Sequence, residues 1–283
     1  MKSVEELELK ANDIRQDIVR MLANAGSGHT AGPLGMADVF ATLYFGIAMH
    51  DPKKPDWDGR DRIVLSNGHI CPVLYSTLAE CGYFDKKKLL TLRKLGSPLQ
   101  GHPHRGEVPG VENSSGPLGQ GLSQACGMAL AGKIDKKKHI VYCLTSDGEH
   151  NEGATWEAAM FAAKYKLGNL VQIMDRNYIQ IDGNTEDVMP LEPLAEKYLA
   201  FGWNVIEVDG NDIGKLIDVL ESVSEKAREN SEGTPTIIIA KTIPGKGVSF
   251  VEGSYKWHGI APKKEEAEKA IGELQEARKK IGK

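Results

Sequence analysis

The chain alternates short apolar runs with longer stretches in which apolar residues recur at helical spacing. Residues 140–144 and 170–174 are nearly unbroken apolar runs, the pattern of strands buried on both faces. Residues 62–65, 203–208 and 236–240 read as further strands. Residues 5–24 carry Leu7, Ile14, Ile18, Val19 and Leu22 on one helical stripe, with Ser3 placed to cap it. Residues 36–49, 71–81, 85–95 and 122–132 are predicted helices. So are residues 193–200, opened by Pro193, residues 213–229, and the charged tail 262–283. Strand and helix alternate from residue 139 to 240. That order predicts an α/β fold: a doubly wound parallel sheet with helices on both faces and the N-terminal helices wrapped on it. No linker, repeat or low-complexity segment interrupts the pattern, so residues 1–283 are expected to form one domain.

The breaks in the pattern hold the candidate chemistry. Residues 25–35 are glycine-dense, which argues against helix and lets backbone approach a ligand closely. Residues 96–116 form a long irregular stretch of the kind a compact domain keeps for a purpose. Asp147 follows one buried strand and Asn177 follows the next. Ligands of open parallel sheets bind beyond the carboxyl ends of strands, and the helix between these two points its N-terminus toward the same crevice. One carboxylate and one amide oxygen, with a backbone carbonyl near Ile179 as a third donor, suit a hard cation such as Mg²⁺ that completes its shell from phosphate and water. The local reading is a metal-bridged diphosphate. The competing reading is that Asp147 and Asn177 merely cap turns.

Composition narrows the field. The formal net charge of −4 argues against nucleic acid as the main partner. The lysine runs at 86–88 and 136–138 are expected on solvated turns. Cys71, Cys81, Cys126 and Cys143 are scattered without a Cys-x-x-Cys pair, as free thiols of a reducing compartment are. The N-terminus is charged and helical, and no run reaches the ~20 apolar residues that span a bilayer. A cytoplasmic protein without membrane contact is expected.

Four of the eight histidines, His29, His69, His102 and His258, sit beside a glycine in a loop. Loop histidines with flexible neighbours often serve function. Ordinary surface histidines and a zinc site are the alternatives, although no His-x-x-x-His pair or nearby cysteine favours zinc. His50, His139 and His150 read as surface residues.

The run Asp147-Gly-Glu-His-Asn-Glu152-Gly153, then Trp156-Glu-Ala, Asp175-Arg-Asn177 and Gln180-Ile-Asp-Gly183, resembles the thiamin-diphosphate motif of transketolases. Ser27-Gly-His29, Ser66-Asn-Gly-His69, Gln100-Gly-His102-Pro, Ser115-Gly-Pro-Leu-Gly-Gln-Gly121 and His258-Gly259 resemble that family's remaining motifs in the family's order. The resemblance implies the diphosphate-binding domain of that fold. It implies that Asp147, Asn177 and the Ile179 carbonyl bind Mg²⁺, with Ca²⁺ as a substitute. It further implies that Gly148, His69 and His258 meet the diphosphate, and that Gly116, Pro117 and Leu118 approach the thiazolium. His29, His102 and His258 would bind the sugar and assist proton transfer, and Glu152 would brace a contact between subunits. Ser146, Thr30 and His104 depart from the family's usual pattern.

The family's activating glutamate, pyrimidine pocket and phosphate-binding arginines belong to a following domain. The resemblance is therefore to the N-terminal subunit of a split transketolase. Such a chain is expected to move a two-carbon ketol unit between sugar phosphates within an α2β2 heterotetramer of the pentose phosphate pathway. Its partner would be a C-terminal subunit carrying the pyrimidine-binding domain. The rival readings are the α subunit of a 2-oxo-acid dehydrogenase, an enzyme of the deoxyxylulose-phosphate synthase type, and a non-catalytic cofactor-binding chain.

Overall fold

The structure, a computed structural model, describes residues 2–282. It opens with α1 (Val4–Ala25), followed by two short helical pieces, α2 (Ala31–Gly35) and α3 (Ala37–Thr42). Strand β1 (Arg62–Leu65), α4 (Cys71–Cys81) and α5 (Gly121–Ile134) lead to the central unit β2 (Val141–Ser146), α6 (Gly153–Lys164) and β3 (Leu170–Arg176). A small excursion follows: the two-residue strands β4 (Ile179–Gln180) and β5 (Gly183–Asn184), then α7 (Thr185–Val188). The chain closes with α8 (Leu194–Ala200), β6 (Asn204–Asp209), α9 (Ile213–Glu229), β7 (Thr236–Lys241) and α10 (Lys264–Arg278).

Five strands form one parallel sheet in the order β1-β2-β3-β7-β6. Successive residues of a strand face opposite sides, and the apolar runs fill both. Tyr142 and Leu144 of β2 point into the layer built by α1, α3, α4, α9 and α10. Val141 and Cys143 point into the layer built by α5, α6 and α8. A strand buried on both faces has few polar positions, and those here pair internally, as Gln172 Nε2 does by donating to Thr145 Oγ1 at 3.0 Å, which is why the sheet is legible as nearly unbroken apolar runs. Ser3 caps α1 reciprocally with Glu6: the Glu6 N–H donates to Ser3 Oγ at 3.2 Å, and the Ser3 N–H donates to Glu6 Oε2 at 2.8 Å. Gly26, at φ 68°, takes the left-handed position that ends α1 and releases the chain toward His29.

Several expectations need correction. Residues 85–95 form only a 3-10 stretch, Lys86–Thr91, which ends before Arg93 at φ 60°. Residues 36–49 are not one helix: α3 widens into a π-turn, Leu43–Ile47, closed by the Ala48 N–H donating to the Leu43 carbonyl at 2.8 Å. The glycine-dense stretch after His29 does hold a helical turn, α2. Pro33 falls in its first turn, where its missing N–H costs nothing. At Gly35 a Cβ would lie 2.9 Å from the Ile243 carbonyl oxygen, so glycine there serves close packing. His139 and His150, read as surface residues, are buried, and His50, read the same way, is half-buried between Tyr44 and Tyr83. For His150 the partners are internal. Its Nδ1 bonds the Ser146 carbonyl at 2.7 Å and its Nε2 the Tyr198 hydroxyl at 2.8 Å. Cys71, Cys126 and Cys143 are buried and Cys81 is half-buried, all as free thiols. Among the described residues no helix is long and apolar enough to cross a membrane.

Candidate functional site

The crevice is set by strand register. β2 and β3 pair with Ser146 opposite Asp175, and the Asp147 N–H donates to the Asp175 carbonyl at 3.1 Å. The residue after β2 therefore stands beside the end of β3. Asp147 is wholly buried. Its Oδ1 accepts the Gly148 N–H at 2.8 Å; its Oδ2 accepts the Tyr178 N–H at 2.7 Å and Arg176 Nη1 at 3.2 Å. Burial pushes this carboxyl up to about 6, against the pull of Arg176 and of the backbone donors. Asn177 Oδ1 accepts the Ile179 N–H at 2.8 Å and its Nδ2 donates to Asp175 Oδ2 at 2.8 Å.

Arg176, only 1% exposed, ties this pair to the excursion that follows. It bonds Thr185 Oγ1 at 2.9 Å and pairs with Glu186 at 2.6 Å and Glu192 at 2.8 Å, while lying over the Tyr178 ring. One buried cation thus links Asp147 to the loop that carries Ile179.

Glu149 is the second organiser. Its Oε2 accepts Ser66 Oγ at 2.9 Å and the Gly119 N–H at 3.1 Å; its Oε1 accepts the Ser146 N–H at 3.2 Å. Three loops, those after β1, before α5 and after β2, are held by one carboxylate. Burial pushes that carboxylate up to about 7. Ser66 Oγ passes the connection on by accepting the Gly121 N–H at 3.0 Å.

Against this frame the loop histidines converge. The rings of His29 and His69 lie 4.9 Å apart, and His258 lies 5.2 Å from each. They arrive from the end of α1, the turn after β1 and the segment before α10. Thr30 fastens the first of these to the last, its hydroxyl donating to the Ile260 carbonyl at 2.5 Å. His102 stands beside Gly116: a Cβ on that glycine would be 3.7 Å from the His102 ring. Pro117 is exposed and Leu118 half-buried on the same loop. The Gly148 N–H turns to Asp147 in this structure. Glu152 is exposed at the start of α6, with its side chain against Gly119.

Whether a cofactor fits can be judged from unpaired polar atoms. Buried polar atoms normally have partners. Here both side-chain polar atoms of Asn67, Ser115 Oγ, His29 Nδ1 and Gln180 Oε1 are buried without one. Asn67 and Ser115 belong to the His69 and Gly116 loops. Such a set fits a ligand rich in hydrogen-bonding groups, as a diphosphate-bearing cofactor is. The Asp147 carboxylate, the Asn177 amide oxygen and the Ile179 carbonyl are hard oxygen donors suited to a cation that phosphate would also ligate. The roles of Glu149, Arg176 and Asn67 emerge only from the fold. Glu149 lies inside the motif that points to Asp147, and Asn67 inside the one that points to His69. Arg176 lies inside the Asp175-Arg-Asn177 motif, but no local pattern shows that it is buried or which carboxylates it meets.

The histidine cluster carries a cost in acid. Burial, then His258 and the nearby Arg93, holds the His29 imidazole down at about 4. Burial also holds His69 well below its usual value and lowers His258. An unfolded histidine titrates near ~6.5. The unfolded chain therefore takes up protons first, and stability present above that value is lost progressively as pH falls toward about 4. Denaturant titrations across this window should show the decline. His29→Gln should flatten the slope by up to ~1.4 kcal/mol per pH unit; a wild-type stability independent of pH there would contradict this.

The comparisons with known proteins agree with the geometry. Residues 7–280 match the family described as "Transketolase, thiamine diphosphate binding domain". The chain is 42% identical over 280 residues to an apulose-4-phosphate transketolase subunit of Phocaeicola vulgatus, covering 99% of this chain and 98% of that protein. It is 40% identical over 270 residues to a 6-deoxy-6-sulfo-D-fructose transketolase subunit of a Clostridium species, covering 95% and 96%. Human transketolase is 39% identical over 291 residues, but the match spans only 44% of that longer protein. The crystal structure of Campylobacter jejuni transketolase superposes with a TM-score of 0.89 at 35% identity, covering 97% of this chain and 43% of that one. The chain therefore belongs to the transketolase family, matching its thiamine-diphosphate-binding domain over residues 7–280.

Proposed function

We propose that this chain, joined to a C-terminal transketolase subunit, transfers a two-carbon ketol unit from a ketose phosphate to an aldose phosphate. The observation that carries the reading is the meeting of His29, His69 and His258 from three distant segments, beside a cofactor frame organised by Asp147 and Glu149. Asp147, Asn177 and the Ile179 carbonyl would hold Mg²⁺, or Ca²⁺ in its place, with Gly148, His69 and His258 toward the diphosphate and Gly116, Pro117 and Leu118 toward the ring. When bound, thiamin diphosphate supplies the nucleophilic carbon and the electron sink that no side chain offers.

The chain's own residues bind, orient and move protons. Imidazoles kept neutral by burial serve as donors to a sugar oxygen that gains charge and as acceptors from a hydroxyl that loses a proton. His29, His102 and His258 take these roles. In the assembled enzyme, His29→Ala or His258→Ala should lower kcat roughly 10²–10⁴-fold while cofactor retention changes far less for His29. Consumption of a ketose phosphate or hydroxypyruvate, and not of pyruvate, separates this function from the 2-oxo-acid and deoxyxylulose-phosphate alternatives. A reconstituted complex that binds cofactor without turnover would support the non-catalytic reading.

The partner has a candidate surface. The inner half of α5, with Leu122, Ala125, Cys126 and Ala129, is buried, but Ile134 is 69% exposed. On α6, Met160 is 53% exposed, with Phe161 and Tyr165 beside it. An apolar outer face of this kind is suited to an assembly interface. An α2β2 assembly in the cytoplasm, serving the pentose phosphate interconversions, is the setting proposed. It is supported by relatives of the same length whose names call them subunits.

A further inference from the structure

Arg93 stands in the left-handed region at φ 60°, held by its N–H donating to the Leu99 carbonyl at 2.9 Å. Such a conformation is uncommon for a long side chain and tends to persist where surrounding structure enforces it. Its guanidinium lies between two loops at the positions where each has a glycine. A Cβ on Gly101 would be 2.8 Å from the guanidinium carbon, and one on Gly28 would be 3.6 Å from Nε. These glycines directly precede His102 and His29. Arg93 as a residue is exposed. Among the described residues its guanidinium has no ion pair and no hydrogen bond to protein, so that it meets the two glycines on one side and solvent on the other. It borders a cavity of about 500 Å³ together with His102, His104, Glu107 and Ser115.

We propose that Arg93 is a positioning residue of the ketol-transfer site: its guanidinium, packed against Gly28 and Gly101, spaces the His29 and His102 loops and sets a positive charge beside both imidazoles. That charge adds to burial in keeping the rings neutral partners for the substrate. Nearby charge supports this. Arg93 opposes protonation of both rings, after burial in each case, and for His29 also after His258. His29 is otherwise faced by His69, His258 and His102, none of which offers a compensating negative charge. His102 shares the cavity with His104 and with Glu107, the carboxylate among its described lining residues. Arg93 also faces the Cys71 thiol and Tyr75 hydroxyl of α4, both held neutral by burial.

The mechanism rests on the ketol-transfer reading, but the first test does not. Histidine resonances of the isolated full chain are titrated by NMR in the wild type, R93M and R93K, with R93Q as a second neutral variant. In R93M and R93Q the protonated fractions of His29 and His102 at a fixed acidic pH should rise about threefold, the Coulomb effect of one charge a few ångströms away in a water-like dielectric. His139, whose charged neighbours are Arg62, Asp61, Asp58 and Arg60 and not Arg93, should not move, and R93K should restore the wild-type titrations. In the assembled enzyme, R93M should displace the acid limb of kcat to higher pH with little change in KM. Unmoved His29 and His102 titrations in a folded neutral variant would overturn the proposal. So would a rise in KM confined to phosphorylated sugars, which would make Arg93 a contact for the substrate's anion. An inactive wild-type complex would sink the ketol-transfer reading and leave the titration result standing.

Discussion

Asp147→Ala is expected to abolish retention of thiamin diphosphate, weakening binding in excess Mg²⁺ at least ~100-fold, or about 2.7 kcal/mol. The carboxylate is the only charged member of its donor set, and neither Asn177 nor the Ile179 carbonyl can replace its charge. The substitution also takes the acceptor from the Gly148 and Tyr178 N–H groups and should lower stability, but without unfolding the chain. Arg176, which loses one partner, keeps Glu186, Glu192 and the Thr185 hydroxyl. Asp147→Asn, which keeps the shape and one acceptor, should bind almost as poorly, because charge is what it lacks. Isothermal titration of thiamin diphosphate with and without Mg²⁺ checks both variants, and melting curves check that the fold survives. Asn177→Ala should cost less, since it removes a neutral ligand, although it also releases Asp175 and the Ile179 N–H from their hydrogen bonds.

Glu149→Ala should have the largest effect on stability. It would leave the Ser66 hydroxyl and the Gly119 and Ser146 N–H groups without their acceptor in a dry interior. Each unsatisfied buried donor costs about 1–3 kcal/mol, so a loss of ~3 kcal/mol or more is expected. A chain of this size would then melt roughly 6–12 °C lower, at ~2–4 °C per kcal/mol. Glu149→Gln keeps one acceptor oxygen and should lose about half as much. Differential scanning calorimetry of the two variants separates this account from one in which Glu149 is an incidental buried acid. Equal, small shifts for both would favour the latter. The three loops it joins carry His69, the Gly116 turn and Asp147, so the same variant should also weaken cofactor binding.

What the sequence discloses depends on where each residue's partners lie. The sheet is legible because β2 and β3 are covered on both faces and so read as apolar runs. The bounds of α9 are legible because one stripe of Leu216, Leu220 and Val223 is buried and the rest is charged. Asp147 and Asn177 stand out because a polar side chain directly after a buried strand has few structural uses. Other features need tertiary partners that no local pattern reveals. The small excursion β4–β5–α7 is shaped by Arg176 reaching back to Asp147 and forward to Glu186 and Glu192. Glu149 acts through Ser66, 83 residues away. His150 looks solvated until the Tyr198 hydroxyl and the Ser146 carbonyl are placed around it. Arg93 lies close after a lysine-rich stretch, and only the fold puts it against two glycines that precede histidines.

The central claim is that this chain holds the cofactor's phosphates and the sugar-facing histidines but completes its active site only with a second polypeptide. A coupled assay with a ketose phosphate donor and an aldose phosphate acceptor, run with Mg²⁺ and thiamin diphosphate, addresses it directly. The chain alone should give no ketol transfer above background while still binding the cofactor, and addition of the C-terminal subunit should restore turnover. Full activity from the chain by itself, or none from the pair when both bind cofactor, would contradict the account.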